Sequence, residues 1–236
     1  TSSARAMDSV ADLVTAPVQP WDALICTSSA VKKNVEFLLD READYLADRM
    51  AASRTVLPKL PVIPLGVHTE DFVFGAAERS AARRALSIAD DSLVVMFMGR
   101  LSFHAKAHPL PMYLAVEAAA RRSGKNVTLI ECGWHGHDSI KKAFAEGAST
   151  LCPSVRTLTL DGRSPYERNK AWAAADVFCS LSDNIQETFG ISPIEAMAAG
   201  LPVVVSDWNG YTDTVRHCVD GFRVPTTMPR DGLGSD

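Results

Sequence analysis

The chain has 236 residues, 47% of them apolar and 22% charged, with a net charge of −4 at pH 7. That is the composition of a soluble globular protein with enough apolar material for a sizeable core. It offers no general electrostatic attraction for nucleic acid or anionic lipid. The five cysteines, Cys26, Cys132, Cys152, Cys179 and Cys218, are odd in number and widely spaced. They form no CxxC or Cys/His cluster, so no metal is expected. Cys26 and Cys179 sit in apolar runs and read as buried reduced thiols. A cytoplasmic setting follows, with peripheral attachment to a membrane left open. No apolar run approaches the roughly 18 residues that span a bilayer. The first residue is Thr1 rather than Met, which suggests a trimmed chain.

Short β-branched runs alternate with helical segments, the mark of a parallel α/β sheet. An apolar run at residues 22–27 precedes Ser28 and Ser29. Either serine can cap a helix that continues through Val31, Val35, Leu38 and Leu39. Residues 56–66 carry three prolines and a glycine. They read as an extended linker near a domain boundary. A helix is expected over 76–86, then a buried strand over 93–98 and a loop over 99–108. Pro111 opens a helix running to about Arg122. Strands are expected at 127–131, 155–160, 177–181 and 202–206. Helices are expected at about 139–146 and 164–175, and another begins near Ser192. Ser164-Pro165-Tyr166-Glu167 and Ser192-Pro193-Ile194-Glu195 both fit capping boxes with proline at the first helical position. Gly200 and Pro202 end the second of these helices. Five strands with four crossovers make a doubly wound domain, and such sheets bind ligands at the carboxyl ends of their strands.

Two loops after strands carry the chemistry. Residues 99–108 hold Arg100, Lys106 and two histidines. Cations at that end of a sheet suit a phosphate: arginine grips two oxygens and lysine adds a mobile point charge. The bland alternative is a solvated basic loop. Residues 182–191 place Gly190 just before a helix, where backbone N–H groups can approach an anion. Glu187 precedes that helix and Glu195 lies in its first turn. Carboxylates accept hydrogen bonds from sugar and ribose hydroxyls. The bland alternatives are a solvated loop acid for Glu187 and a capping partner of Ser192 for Glu195.

The segment QETFGISPIEAMAAGLPVV, residues 186–204, resembles the E-x7-E signature of the family-4 glycosyltransferases. Three further segments resemble that family in its order: IPLGVHTEDF at 63–72, GRL at 99–101 with Lys106, and WNGYTD at 208–213 followed by DGFRVP at 220–225. The last two look like late turns of its donor domain. The resemblance covers about residues 22–225. It implies an α/β fold with a doubly wound, Rossmann-like parallel sheet: the C-terminal domain of a two-domain GT-B enzyme. Residues 1–60 would be a remnant of the acceptor-binding N-terminal domain with its linker. Residues 61–236 would be the nucleotide-sugar donor domain, incomplete at its C-terminal end.

It also implies roles. Arg100 and Lys106 would neutralise the donor diphosphate as the bond to the sugar breaks. Glu187 would hold hydroxyls of the transferred sugar. The backbone of Thr188, Phe189, Gly190 and Ile191 would line the sugar and phosphate, and Glu195 would bind the ribose. Gly133, Asp161, Gly162 and Arg163 would lie near the base. The reaction would transfer a sugar from a nucleoside-diphosphate sugar, with retention, to a sugar or lipid acceptor. It would need no metal and no cofactor beyond the donor itself. The chain departs from the pattern at Ala107, where glycine is common, and at Asp213, where glutamate is common. The acceptor half of the site would lie in the missing N-terminal domain, so this segment alone is expected to be inactive.

Other features read as structure. His135 and His137 alternate in a loop without clear partners, Met96 and Met98 fill a strand buried on both faces, and Asn126-Val127-Thr128 opens a buried strand. Two rival functions are a sugar-nucleotide epimerase of the same architecture and a non-catalytic nucleotide-sugar-binding module.

Overall fold

The computed structural model describes residues 3–185 and 187–227. Gln186 of the signature segment and residues 228–236 of the domain expected to run to 236 lie outside it.

In chain order the elements are α1 (Ala4–Ala11), α2 (Ser29–Met50), α3 (Ala76–Ala85), β1 (Leu93–Leu101), α4 (Leu110–Ser123), β2 (Val127–His135), α5 (Asp138–Leu151), β3 (Arg156–Asp161), α6 (Pro165–Ala174), β4 (Val177–Ser180), α7 (Ile191–Ala198), β5 (Val203–Asp207), α8 (Tyr211–Thr214) and β6 (Gly221–Pro225). The six strands form one sheet in the order β3-β2-β1-β4-β5-β6. Every pairing is parallel.

Successive side chains of β1 alternate between two cores, so both faces demand apolar residues. Val94, Met96 and Met98 pack with Ile130, Phe178 and Val203 beneath α3, α6 and α7. Val95 and Phe97 pack with Leu129, Met112, Val116 and Phe144 beneath α4 and α5. Arg83 ties α3 to the sheet. The residue is only 3% exposed, and its guanidinium meets Asp176 Oδ2 at 2.7 Å and the carbonyls of Asp90 and Ser92 at 2.9 and 3.1 Å. Asp176 Oδ2 also accepts from the Val94 N–H at 2.8 Å, so a single carboxylate joins helix, charge and strand. A third, smaller core gathers Val10, Val14, Cys26, Val31, Val35 and Leu39. It lies under α1 and α2, where residues 22–26 and 59–62 run parallel with two isolated bridges.

Four expectations need correction. Of the segment 220–225, expected as a turn, residues Gly221–Pro225 are the sixth strand. β1 runs on to Leu101, so Gly99 and Arg100 are strand residues rather than loop residues. β2 likewise runs to His135, which removes that histidine from its expected loop. The two extensions support each other, with Gly99 paired to Gly133 and Arg100 to Trp134. Finally, Ser192 does not cap α7. The cap is Gly190, in the left-handed region at φ 80, and no side chain bonds the first turn. The Ser164 box does form: its hydroxyl accepts from the Glu167 N–H at 3.4 Å. Ser28 caps α2, accepting from Val31 at 3.1 Å.

Candidate functional site

The crossovers after β1 and β2 lie on one face of the sheet and those after β3 and β4 on the other. Because β1 and β4 are neighbours, the loops that leave them diverge and open a crevice at their carboxyl ends, the switch point where such sheets bind ligands. Both loops singled out in the sequence border this crevice.

They are bound to each other. Ser182 Oγ donates to the Lys106 carbonyl at 2.8 Å, and Asn184 Nδ2 donates to the His104 carbonyl. The Lys106 ammonium forms an ion pair with Glu187 Oε2. Glu187 is 8% exposed, so it is not the solvated loop acid of the bland alternative. A buried carboxylate needs a cation or donors, and Lys106 supplies one. Tyr211 supplies another, its hydroxyl 3.3 Å from the same oxygen. Arg100 is exposed at the end of β1 and makes no ion pair among the described residues.

The backbone after Glu187 is fixed from two sides. Ser28 Oγ, at the start of α2, donates to the Thr188 carbonyl at 2.6 Å. Gly210 lies beneath Phe189, where a Cβ would stand 2.4 Å from the Phe189 Cα. Ile191 opens α7, whose first N–H groups have no side-chain cap and favour an anion. Glu195 is half-buried on α7 and makes no side-chain hydrogen bond among the described residues. Burial raises its pKa and the charge of Arg168 partly offsets that. With Gly190 as the cap, Glu195 is no partner in a capping box, and its carboxylate is left available.

Gly133, Asp161, Gly162 and Arg163 come together away from that pair, across the ends of β2 and β3. They border a cleft of about 300 Å³ with Trp134 and His135, although Gly162 itself lies just below its surface. The glycines there have a packing reason. A Cβ at Gly133 would stand 1.9 Å from the Gly99 carbonyl oxygen, and one at Gly162 would stand 2.9 Å from the Gly133 Cα. Asp161 and Arg163 pair with each other at 2.9 and 3.0 Å on the surface. The Arg163 hydrogen bonds hold the Asp161 carboxyl below its ordinary pKa.

Sequence reasoning missed Tyr211, Ser180 and Ser182, the buried hydroxyls around Glu187. It also missed Glu131 in mid-strand, 2% exposed and bonded by the Tyr113 hydroxyl at 2.6 Å. Burial pushes the Glu131 pKa up to about 7 against the opposing hydrogen bond. A carboxyl raised in the folded state holds a proton that the unfolded chain has released. Its contribution to stability is therefore lost as pH rises from about 4.5 to about 7, by roughly 3 kcal/mol. Urea unfolding of the protein and its Glu131→Gln variant at about pH 5 and about pH 8 checks this: the variant should lose that dependence.

Among the described residues no three His, Cys, Asp or Glu side chains are grouped to hold a metal. No described helix is long and apolar enough to cross a membrane.

A parallel six-stranded sheet with paired charged loops at its switch point belongs to the doubly wound class of α/β domain, in which ligands lie at the carboxyl ends of the strands. Comparison with known proteins narrows this. The family model for glycosyl transferases group 1 matches residues 78–231, and the chain belongs to that family. A D-inositol 3-phosphate glycosyltransferase of Nocardia farcinica is 29% identical over 82% of the chain and 42% of its own length. One of Geodermatophilus obscurus is 31% identical over 80% of the chain and 41% of its own length. The chain thus spans less than half of either relative. Among solved structures, Anabaena HepE in complex with UDP-glucose superposes with a TM-score of 0.62 at 24% identity, over 86% of this chain and 50% of that one. A glycosyltransferase from Rickettsia africae gives 0.63 at 15% identity, over 92% and 53%. These place the fold among the GT-B glycosyltransferases.

Proposed function

We propose that this chain supplies the donor-binding half of a retaining, family-4 glycosyltransferase. It binds a nucleoside-diphosphate sugar in the crevice between β1 and β4. In the protein carrying both halves, the bond between the sugar C1 and the β-phosphate oxygen breaks and the nucleoside diphosphate departs; an acceptor hydroxyl oxygen bonds to C1 and its proton is released. The observation that carries this reading is the meeting of Lys106 and Glu187 across the switch point. It sets a cation for phosphate beside an acceptor for sugar hydroxyls.

Arg100, Lys106 and the uncapped start of α7 take the charge that develops on the departing diphosphate, so the chemistry needs no metal. Glu187 holds sugar hydroxyls, Glu195 the ribose, and the cleft at Gly133, Asp161 and Arg163 the base. Residues 61–236 form the donor domain, and residues 1–60 belong to the acceptor half. The acceptor is a sugar or a lipid, met in the cytoplasm or at a membrane surface. The glycosyltransferase names of the relatives support the reaction class.

Calorimetric titration of the protein carrying both halves with UDP, GDP and ADP tests the reading. One nucleotide should bind, and Glu195→Ala should weaken it about tenfold at an unchanged circular dichroism spectrum. No binding by the folded protein would contradict it.

A further inference from the structure

We propose that Tyr211 is a positioning residue for Glu187, its buried hydroxyl fixing the carboxylate that receives the sugar. This rests on the sugar-binding role given to Glu187 above.

Tyr211 is completely buried at the start of α8. Its ring reaches the crevice only because residue 190 is glycine, where a Cβ would stand 2.0 Å from Tyr211 Cε1. At its tip the hydroxyl lies 3.3 Å from Glu187 Oε2 and 2.9 Å from Ser180 Oγ. A phenol has one proton to give. It goes to the carboxylate, and Ser180 donates its own proton to the tyrosine oxygen. Burial and the charge of Glu187 both raise the Tyr211 pKa, which keeps that proton in place.

Both groups that hold Glu187, Lys106 and Tyr211, bond to Oε2. Oε1 has no partner among the described residues and is the oxygen left for a sugar hydroxyl. The two holders differ in what else they serve. Lys106 is also the cation for the diphosphate, so the donor competes for it. Tyr211 has no such second duty. Once Lys106 turns to phosphate, the tyrosine is what keeps the carboxylate in one orientation. Losing its hydroxyl should therefore weaken recognition of the sugar and spare recognition of the nucleotide.

The test is Tyr211→Phe in the protein carrying both halves. The phenyl ring stays against Gly190 and only the hydroxyl goes. Wild type and variant are titrated with UDP, GDP and ADP. They are titrated again with the glucose, N-acetylglucosamine and mannose conjugates of each. The nucleotide sugar that binds wild type best should bind the variant about tenfold more weakly, while its bare diphosphate changes by less than about twofold. Should Tyr211→Phe fail to fold, Ser180→Ala decides. It removes the closer of the two serine contacts to the hydroxyl, Ser182 being the other, and should show the same selectivity at about threefold. Equal weakening of both ligands, or of neither, overturns the positioning role while leaving the donor site standing. A Glu187→Gln variant that binds the same nucleotide sugar as tightly as wild type overturns the role of Glu187 and this proposal with it. Binding none of the probes overturns the donor site itself.

Discussion

Glu187→Gln should lower kcat/KM for sugar transfer by about 10³-fold, or about 4 kcal/mol, in the protein carrying both halves. Glutamine keeps the size of the side chain and removes its charge. It no longer pairs with Lys106, and it presents an amide where sugar hydroxyls meet a carboxylate. The loss comes from the charge: hydrogen bonds from hydroxyls to a charged acceptor are roughly twice as strong as those between neutral groups. Initial rates, measured beside thermal unfolding, separate chemistry from stability. Near-normal rates would remove Glu187 from the site, and a collapsed fold would show its role to be mainly structural.

Gly190→Ala should cost about 4 kcal/mol of folding stability, roughly a 10 °C fall in Tm, and abolish nucleotide binding. Two effects add. At φ 80 an L side chain is strained by about 1 kcal/mol or more. The new Cβ would also stand 2.0 and 2.4 Å from two atoms of the Tyr211 ring. That ring is enclosed on every side and has no room to swing away. Gly200→Ala is the control. It has a similar φ of 73 but nothing within 4 Å, so only the backbone strain applies and the cost should be about 1 kcal/mol. Equal losses in the two variants would show that contact with Tyr211 is not what makes Gly190 necessary.

The inner strands were legible because they are buried on both faces, and apolar runs such as 93–98 and 202–206 announce such strands directly. β6 escaped because it is a short edge strand, with Phe222 59% exposed and Arg223 between two apolar neighbours. Its pairing with β5 comes from close backbone approach at Gly221, where a Cβ would stand 2.0 Å from the Val203 carbonyl oxygen. The cap of α7 was misread because Ser-Pro-x-Glu is a strong local signal. The glycine two residues earlier overrides it by turning the chain into the helix in the left-handed region. Arg100, Lys106 and Glu187 could be singled out as charged residues in segments that follow strands, and Glu195 as a carboxylate in the first turn of the next helix. Tyr211 could not, since 24 residues separate it from the carboxylate it touches. Gly133 and Gly162 illustrate the converse. They were chosen for a base, yet close backbone packing already accounts for both.

The most direct measurement is a crystal structure of the protein carrying both halves with whichever nucleoside diphosphate it binds. The diphosphate should lie at the carboxyl ends of β1 and β4, within hydrogen-bonding reach of Arg100, Lys106 and the first turn of α7. A diphosphate bound elsewhere, for example in the cavity of about 430 Å³ beneath α5 bordered by Glu131 and Lys141, would contradict the assignment of the site.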